Sequence, residues 1–337
     1  MIIRVVTFTD RGEDLAHNLF DNWQEMIPQY HDKEVPLRDW TGECFKLHLP
    51  ILFIGACGIA VRTIAPFVQD KLQDSAVLVM DEAGEYVIPV LSGHMGGANS
   101  LAVRIASRLR ATPVITTATD VEGVFSVDVF AKKQGLRIVH RSGIKKVSAR
   151  LLRGEKVTVT WEDGFEGGTL PKGLVYVPED TAYVGIRIVS EQGLANLGEK
   201  TQDILLVAKE YVLGIGCKRD KWYKEIDAFV QENLPGITLD QVAGIATIDL
   251  KLRDANLWTF AQYRFLPITF YAAEELGRVP GDFTESEFVR EVTGVSNVCE
   301  RAALCLAGEG GELVLKKTAE NGMTLAVAKR KIKLFGE

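Results

Sequence analysis

The run Leu91-Ser92-Gly93-His94-Met95-Gly96-Gly97-Ala98-Asn99 holds the clearest chemistry in the chain. His94 stands among glycines, where no packing demand selects an imidazole. Its ordinary pKa of about 6.5 suits proton transfer at neutral pH. The plain alternative is a loop histidine that bonds backbone or caps a helix. Ser92 lies two residues earlier, so on an extended backbone both side chains would project to one side. That permits a Ser–His nucleophile pair, although no GxSxG elbow surrounds it. Asn99 either touches a ligand or ties down the turn. Gly93, Gly96 and Gly97 let backbone approach a ligand closely and adopt positive φ. The helix that follows offers unpaired N–H groups to an anion, and the N–H groups of Gly96 and Gly97 are the expected oxyanion donors.

Other runs share this design. Gly55-Ala56-Cys57-Gly58 also follows a strand and opens a helix, with Gly58 open to a ligand. Arg62, on that helix, either pairs with a substrate carboxylate or sits on a solvated face. Thr116, Thr117 and Asp120 end the next strand and either contact a ligand or cap a turn. Gly214-Ile215-Gly216-Cys217-Lys218-Arg219 reads as a strand running into a glycine turn with two cations behind it. Gly214 and Gly216 would admit an anionic ligand that Lys218 and Arg219 hold; a basic surface turn is the alternative. Asn297 and Glu300 have capping-box spacing, so a structural role stands beside substrate contact. Cys217 and Cys299 read first as small buried hydrophobes. Neither GxGxxG nor a Walker A run occurs, which leaves a nucleotide or phosphate enzyme without support.

The elements that must position these residues alternate. Strand patterns at 2–8, 51–54, 76–80 and 114–117 interleave with helical patterns at 12–26 and 98–110. Asp81-Glu82-Ala83-Gly84 is a turn from which 85–91 returns as strand. This is the pattern of a mostly parallel sheet covered by helices, and it places the glycine loops at strand carboxyl ends. Residues 131–203 differ: Gly164, Gly167, Gly168, Gly173, Pro171 and Pro178 punctuate short strands. A second α/β unit follows, with strands at 211–216, 242–248, 267–271, 312–316 and 323–328. Trp222, Ile226, Phe229 and Val230 form one helix face, and helices follow at 253–263 and 298–307. The fold class is therefore α/β: an N-terminal domain over 1–130, a small β-containing middle module over 131–203, and a C-terminal α/β domain over 204–337.

Bulk properties limit the function. With 39 Lys plus Arg against 45 Asp plus Glu, the net charge is −6, and no basic block is long enough to hold nucleic acid. The five cysteines are odd in number and lack CxxC spacing, and the five histidines are scattered. Reduced thiols in a cytoplasmic protein are expected, with no metal site of the protein's own. No signal peptide or transmembrane run is read.

Taken together these runs resemble one family, the cobalt-precorrin-5A hydrolases (CbiG) of anaerobic cobalamin biosynthesis. The N-terminal part is similar through Gly55–Arg62, Val90–Asn99 and Thr116–Asp120. The C-terminal part is similar through Gly214–Arg219, Ile248-Asp249-Leu250-Lys251 and Gly294–Ala303. The middle is similar only in position and character. The resemblance implies opening of the ring A δ-lactone of cobalt-precorrin-5A and release of C20 with its methyl as acetaldehyde, yielding cobalt-precorrin-5B. It implies no cofactor beyond the cobalt that the substrate carries. Neighbouring pathway enzymes and a second copy of the chain are the expected partners, with no nucleic acid and no membrane. A corrinoid is a broad apolar disc edged by carboxylates, and such a ligand calls for a wide cleft, most simply between two domains. A non-catalytic tetrapyrrole-binding or transfer protein is the alternative.

Overall fold

A computed structural model describes residues 1–70, 73–117 and 123–336. The chain forms two compact units, Met1–Val121 with Leu252–Phe265, and Glu122–Lys251 with Leu266–Glu337.

The first unit runs β1 (Ile2–Thr7), α1 (Asp10–Phe20), β2 (Ile27–Tyr30), α2 (Leu37–Lys46), β3 (Ile51–Ile54), α3 (Cys57–Ile64), β4 (Val77–Met80), β5 (Tyr86–Leu91), α4 (Ala98–Leu109) and β6 (Thr112–Pro113). The strands form one sheet in the order β2-β1-β3-β4-β5-β6. Every residue of β3 and β4 is buried, because helices cover both faces. On one face Ala16 and Leu19 of α1 meet Leu101, Ala102 and Ile105 of α4 over Val5, Leu52 and Leu78. On the other, Trp40, Cys44 and Phe45 of α2 and Ala60 and Ile64 of α3 cover Ile51, Phe53 and Val79. The 24–50 region holds an edge strand and a helix that the apolar spacing does not announce. Pro28 breaks the apolar pattern there, yet it is tolerated in β2, which sits at the sheet edge. The helix Ala255–Tyr263 belongs to this unit; Gln262 accepts from the Ile2 N–H at 2.9 Å and donates to the Ile2 carbonyl at 3.0 Å.

One feature of the sheet reorganises the site. β1, β2, β3 and β4 are mutually parallel, but β5 is antiparallel to β4. The cause is local. Asp81 accepts the N–H groups of Ala83, Glu85 and Tyr86 at 3.0, 3.0 and 2.7 Å. Gly84 supplies φ +70. A turn that tight can only return the chain antiparallel.

The second unit holds α5 (Val127–Gln134), β7 (Leu136–Ile138), α6 (Ser142–Leu152), β8 (Val157–Trp161), β9 (Glu166–Gly167), β10 (Leu174–Tyr176), β11 (Tyr183–Val189), α7 (Glu191–Ala195) and β12 (Thr201–Ala208). The middle sheet is ordered β10-β8-β11-β12-β7. Its helices α5 and α6 join the strands that the sequence indicates, so the β-containing middle region is itself α/β. Then come β13 (Tyr211–Cys217), α8 (Tyr223–Glu232), β14 (Val242–Ile248), β15 (Ile268–Tyr271), α10 (Ala273–Gly277), α11 (Glu287–Thr293), α12 (Cys299–Ala307), β16 (Glu312–Glu320), β17 (Met323–Lys329) and β18 (Lys333–Leu334), α9 being the Ala255–Tyr263 helix. The C-terminal sheet is ordered β15-β14-β13-β17-β16. β13, β14 and β15 are parallel, and β17 closes against β13 antiparallel. Among the described residues no helix is long and apolar enough to cross a membrane.

Candidate active-site loop

The loop after β5 folds back onto its own helix. The Ala98 N–H donates to the Ser92 carbonyl at 3.2 Å, the Asn99 N–H to the Gly93 carbonyl at 3.0 Å, and the Gly97 N–H to the His94 carbonyl at 3.1 Å. These bonds consume donors that the sequence reading offered to an anion. Gly97 in particular is removed from the expected oxyanion pair; among the described residues no turn bond uses the N–H of Gly93 or that of Gly96, and of these two Gly96 is the exposed one. Gly97 caps α4 with φ +86, a conformation that favours glycine.

Contacts explain the remaining glycines. A Cβ on Gly96 would lie 2.4 Å from the Ser92 Cβ and 2.7 Å from its carbonyl oxygen. One on Gly93 would lie 2.6 Å from Asn99 Oδ1. Asn99 then donates through Nδ2 to Thr117 Oγ1 at 3.1 Å, tying the loop to the segment that continues β6. His94 is half-buried in the turn between these glycines. Ser92 is buried with φ +57, which costs a non-glycine residue on the order of 1–3 kcal/mol. Its Oγ is buried without a hydrogen-bond partner among the described residues. The backbone here is therefore a left-handed turn, and the extended geometry that would align the Ser92 and His94 side chains is absent.

Because β5 is antiparallel, Leu91 pairs with Val77 at the start of β4, while Ile54 at the end of β3 pairs with Met80. The two glycine runs of this unit thus start from opposite ends of the sheet, about 10 Å of strand apart. Each run follows the carboxyl end of its own strand, as expected, but the reversal of β5 puts those two ends on opposite edges of the sheet. The His94 loop joins Thr117, since β6 runs parallel to β5. Gly55–Gly58 sits at the other end, beside the Thr9–Glu82 hydrogen bond of 2.8 Å. Gly55 has φ +151, and a Cβ there would lie 2.8 Å from the Phe8 ring. Gly58 is exposed with nothing near its Cβ direction. Arg62 is exposed in the last turn of α3, the helix that returns from the Gly55 end. Asp120 falls outside the described residues.

In the C-terminal sheet the expected glycine turn is strand. Gly214 and Gly216 lie inside β13, and they serve close packing. A Cβ on Gly214 would lie 1.8 Å from the Cys299 carbonyl oxygen of α12, and one on Gly216 2.5 Å from Thr324 Oγ1. Lys218 and Arg219, just beyond, are exposed. Asn297 and Glu300 are fully buried and occupied with each other. Asn297 Oδ1 accepts the Glu300 N–H at 2.9 Å, and Asn297 Nδ2 donates to Glu300 Oε2 at 2.7 Å. The same carboxylate accepts from the Thr284 N–H at 3.0 Å, Thr284 Oγ1 at 3.1 Å and the Lys317 N–H at 2.7 Å. This network joins α12, the 284 loop and β16, and it directs both side chains inward instead of toward a ligand. Burial raises the Cys299 thiol to about 11 and the Cys44 thiol to about 12. Both stay protonated at neutral pH. Among the described residues no group of three His, Cys, Asp or Glu is placed to hold a metal ion.

Comparison with known proteins finds relatives along most of the chain. The family models for the N-terminal domain of cobalamin synthesis G, the cobalamin biosynthesis central region and the C-terminus of cobalamin synthesis G match residues 39–120, 125–194 and 211–328. A cobalt-precorrin-5A hydrolase of Salmonella typhimurium is 34% identical over 297 residues, covering 85% of this chain and 83% of that one. A cobalt-precorrin-5A hydrolase of Priestia megaterium is 30% identical over 356 residues, covering 96% and 94%. A crystal structure of a cobalamin biosynthesis protein G homolog from Sulfolobus solfataricus aligns over 97% of this chain and 96% of its own, with a TM-score of 0.43 at 22% identity. Matched in all three segments, and along most of the length of both relatives, this chain belongs to the CbiG family of cobalt-precorrin-5A hydrolases.

Proposed function

We propose that the chain hydrolyses cobalt-precorrin-5A, with His94 as the proton-transferring residue. The observation that carries this reading is family membership along nearly the whole chain, with the His94 run forming a hydrogen-bonded loop. In the reading, His94 takes a proton from a water that attacks the lactone carbonyl. The acyl carbon–oxygen bond breaks, leaving a carboxylate on the ring A side chain and a hydroxyl on C20. Loss of the hydroxyl proton forms the aldehyde carbonyl. The bond from C20 to the macrocycle breaks with its electron pair retained by the macrocycle, which is then protonated. One water is consumed and one acetaldehyde leaves.

Within this scheme the Gly96 N–H is the loop's donor to the oxyanion, Asn99 and Thr117 hold the loop in place, and the buried Ser92 packs against Gly96. Arg62, Lys218 and Arg219, all exposed, are the cations suited to the substrate's carboxylates. The enzyme uses no cofactor of its own, since cobalt arrives in the substrate. It works in the cytoplasm, in keeping with an odd set of cysteines without CxxC spacing. Its partners are the substrate, neighbouring pathway enzymes and a second copy of the chain.

Anaerobic incubation with cobalt-precorrin-5A should release acetaldehyde. His94→Ala should lower the rate by about 100-fold or more, the usual scale of general acid–base catalysis, with the circular dichroism spectrum unchanged. Release at the normal rate by the variant would remove His94 from the mechanism. Tight binding without any acetaldehyde from the wild-type chain would instead identify a tetrapyrrole carrier.

A further inference from the structure

Trp222 is placed where its sequence pattern does not lead. The spacing with Ile226, Phe229 and Val230 points it into the core, yet it is 50% exposed at the N-cap of α8. Its position is held by the backbone: the Trp222 N–H donates to Glu225 Oε2 at 3.0 Å. The ring is framed by neighbours. Tyr223 meets it edge-on with centroids 5.2 Å apart, and Lys224 Nζ lies 4.7 Å over it. Lys218 and Arg219 are exposed immediately before. The Lys218 N–H is fixed to the Gly322 carbonyl at 2.9 Å, and its side chain lies along that glycine, where a Cβ would approach Lys218 Cδ to 2.8 Å. Lys221 pairs with Glu225 at 3.2 Å, and Asp220 is the other acid of the segment. β13, β14 and β15 are parallel, so this segment lies at their carboxyl ends, where open α/β sheets bind ligands. β14 ends at the same edge and is followed by Leu250, which is 54% exposed.

We propose that Trp222, with Lys218 and Arg219, forms a binding platform for a tetrapyrrole polycarboxylate in the C-terminal domain. This rests on the substrate class read above. The indole stacks on a face of the macrocycle. A large, rigid ring already held by its backbone loses little freedom on binding. The two exposed cations donate to carboxylates at the rim. The charge is complementary: cations outnumber acids in the segment, in a chain whose net charge is −6.

Two cobalt corrinoids test it on the full chain: cobyrinic acid, whose rim carboxylates are free, and cobinamide, in which they are amidated. Cobyrinic acid should quench tryptophan fluorescence. Trp222→Ala should remove part of that quench and weaken binding about tenfold, the scale of one stacking contact. Joint replacement of Lys218 and Arg219 by Ala should weaken cobyrinic acid but not cobinamide, and the difference should fade at high salt. All three side chains are exposed, and unchanged circular dichroism will confirm the fold. Wild-type affinity and full quench in Trp222→Ala would overturn the stacking role. Equal losses for both corrinoids in the double variant would overturn the carboxylate role. If the wild-type chain made no acetaldehyde but kept the Trp222-dependent quench, the hydrolase reading would fail and the platform would stand. Acetaldehyde release with Trp222-independent binding would give the reverse.

Discussion

At the scale of residues, the His94 loop is defined by what its glycines leave out. Gly96 lies so near Ser92 that a methyl group has no room. Gly96→Ala should therefore cost about 1–3 kcal/mol and reduce acetaldehyde release, whereas Gly58→Ala, with nothing near its Cβ direction, should keep the wild-type melting temperature. Equal melting temperatures for both variants would contradict the packing account. His48 gives a pH-dependent test. It is held by the Gln73 carbonyl at 2.8 Å and rests on Phe265, ring centroids 4.0 Å apart. Burial lowers its pKa, against the raising effects of that hydrogen bond and of Asp74. The unfolded chain then binds this proton at a higher pH than the folded chain. Stability accordingly rises with pH through the window below about 6.5 and falls on acidification. Melting temperatures measured at pH 7.5 and 5.5 should show a smaller drop for His48→Asn than for wild type. Asn tolerates the positive φ of +53 at this position. Identical drops would show that His48 contributes nothing to the pH dependence.

At the scale of elements, glycines that look alike in sequence do different work. The run Gly214-Ile215-Gly216 resembles the loop glycines in composition, but it lies in β13 because α12 packs directly over it. Gly214→Ala would drive a methyl group into the Cys299 carbonyl. It should cost at least about 3 kcal/mol, at the upper end of overpacking penalties, and speed amide exchange in α12 before other helices. Unchanged exchange in α12 would mean that the helix is not held by this contact. The spacing of Asn297 and Glu300 was legible as a cap. Sequence spacing alone did not reveal that Glu300 also gathers Thr284 and Lys317 N–H groups, because those partners come from distant segments.

At the scale of the whole molecule, the C-terminal residues finish the middle region. β18 pairs with β9 in parallel, and Phe335 stacks on Phe130 with centroids 4.5 Å apart and meets Trp161 at 5.8 Å. Phe335→Ala should cost about 3 kcal/mol, the lower end for removing a buried aromatic. The loss should show first in Trp161 fluorescence during urea unfolding. A variant that unfolds at the wild-type urea midpoint would make the tail dispensable. These contacts join segments at opposite ends of the second unit's sequence, and no local pattern announces them.

The sequence by itself determined the α/β class, the buried central strands, the amphipathic α4, the Asp81 turn and the composition of the His94 loop. Each depends on near-neighbour spacing, where hydrophobic period and turn chemistry act directly. The Asp81 turn even contained the reversal of β5, since a tight hairpin is antiparallel. Only the tertiary structure decided what followed from it: the His94 loop joins Thr117 at one end of the sheet, away from Gly55–Gly58. It also decided that Gly97 spends its N–H within the loop, and that Trp222 faces solvent. Those outcomes depend on strand direction and on contacts between residues far apart in the chain. The loop of glycines and one histidine was legible from the start; its donors and its neighbours were set by folding.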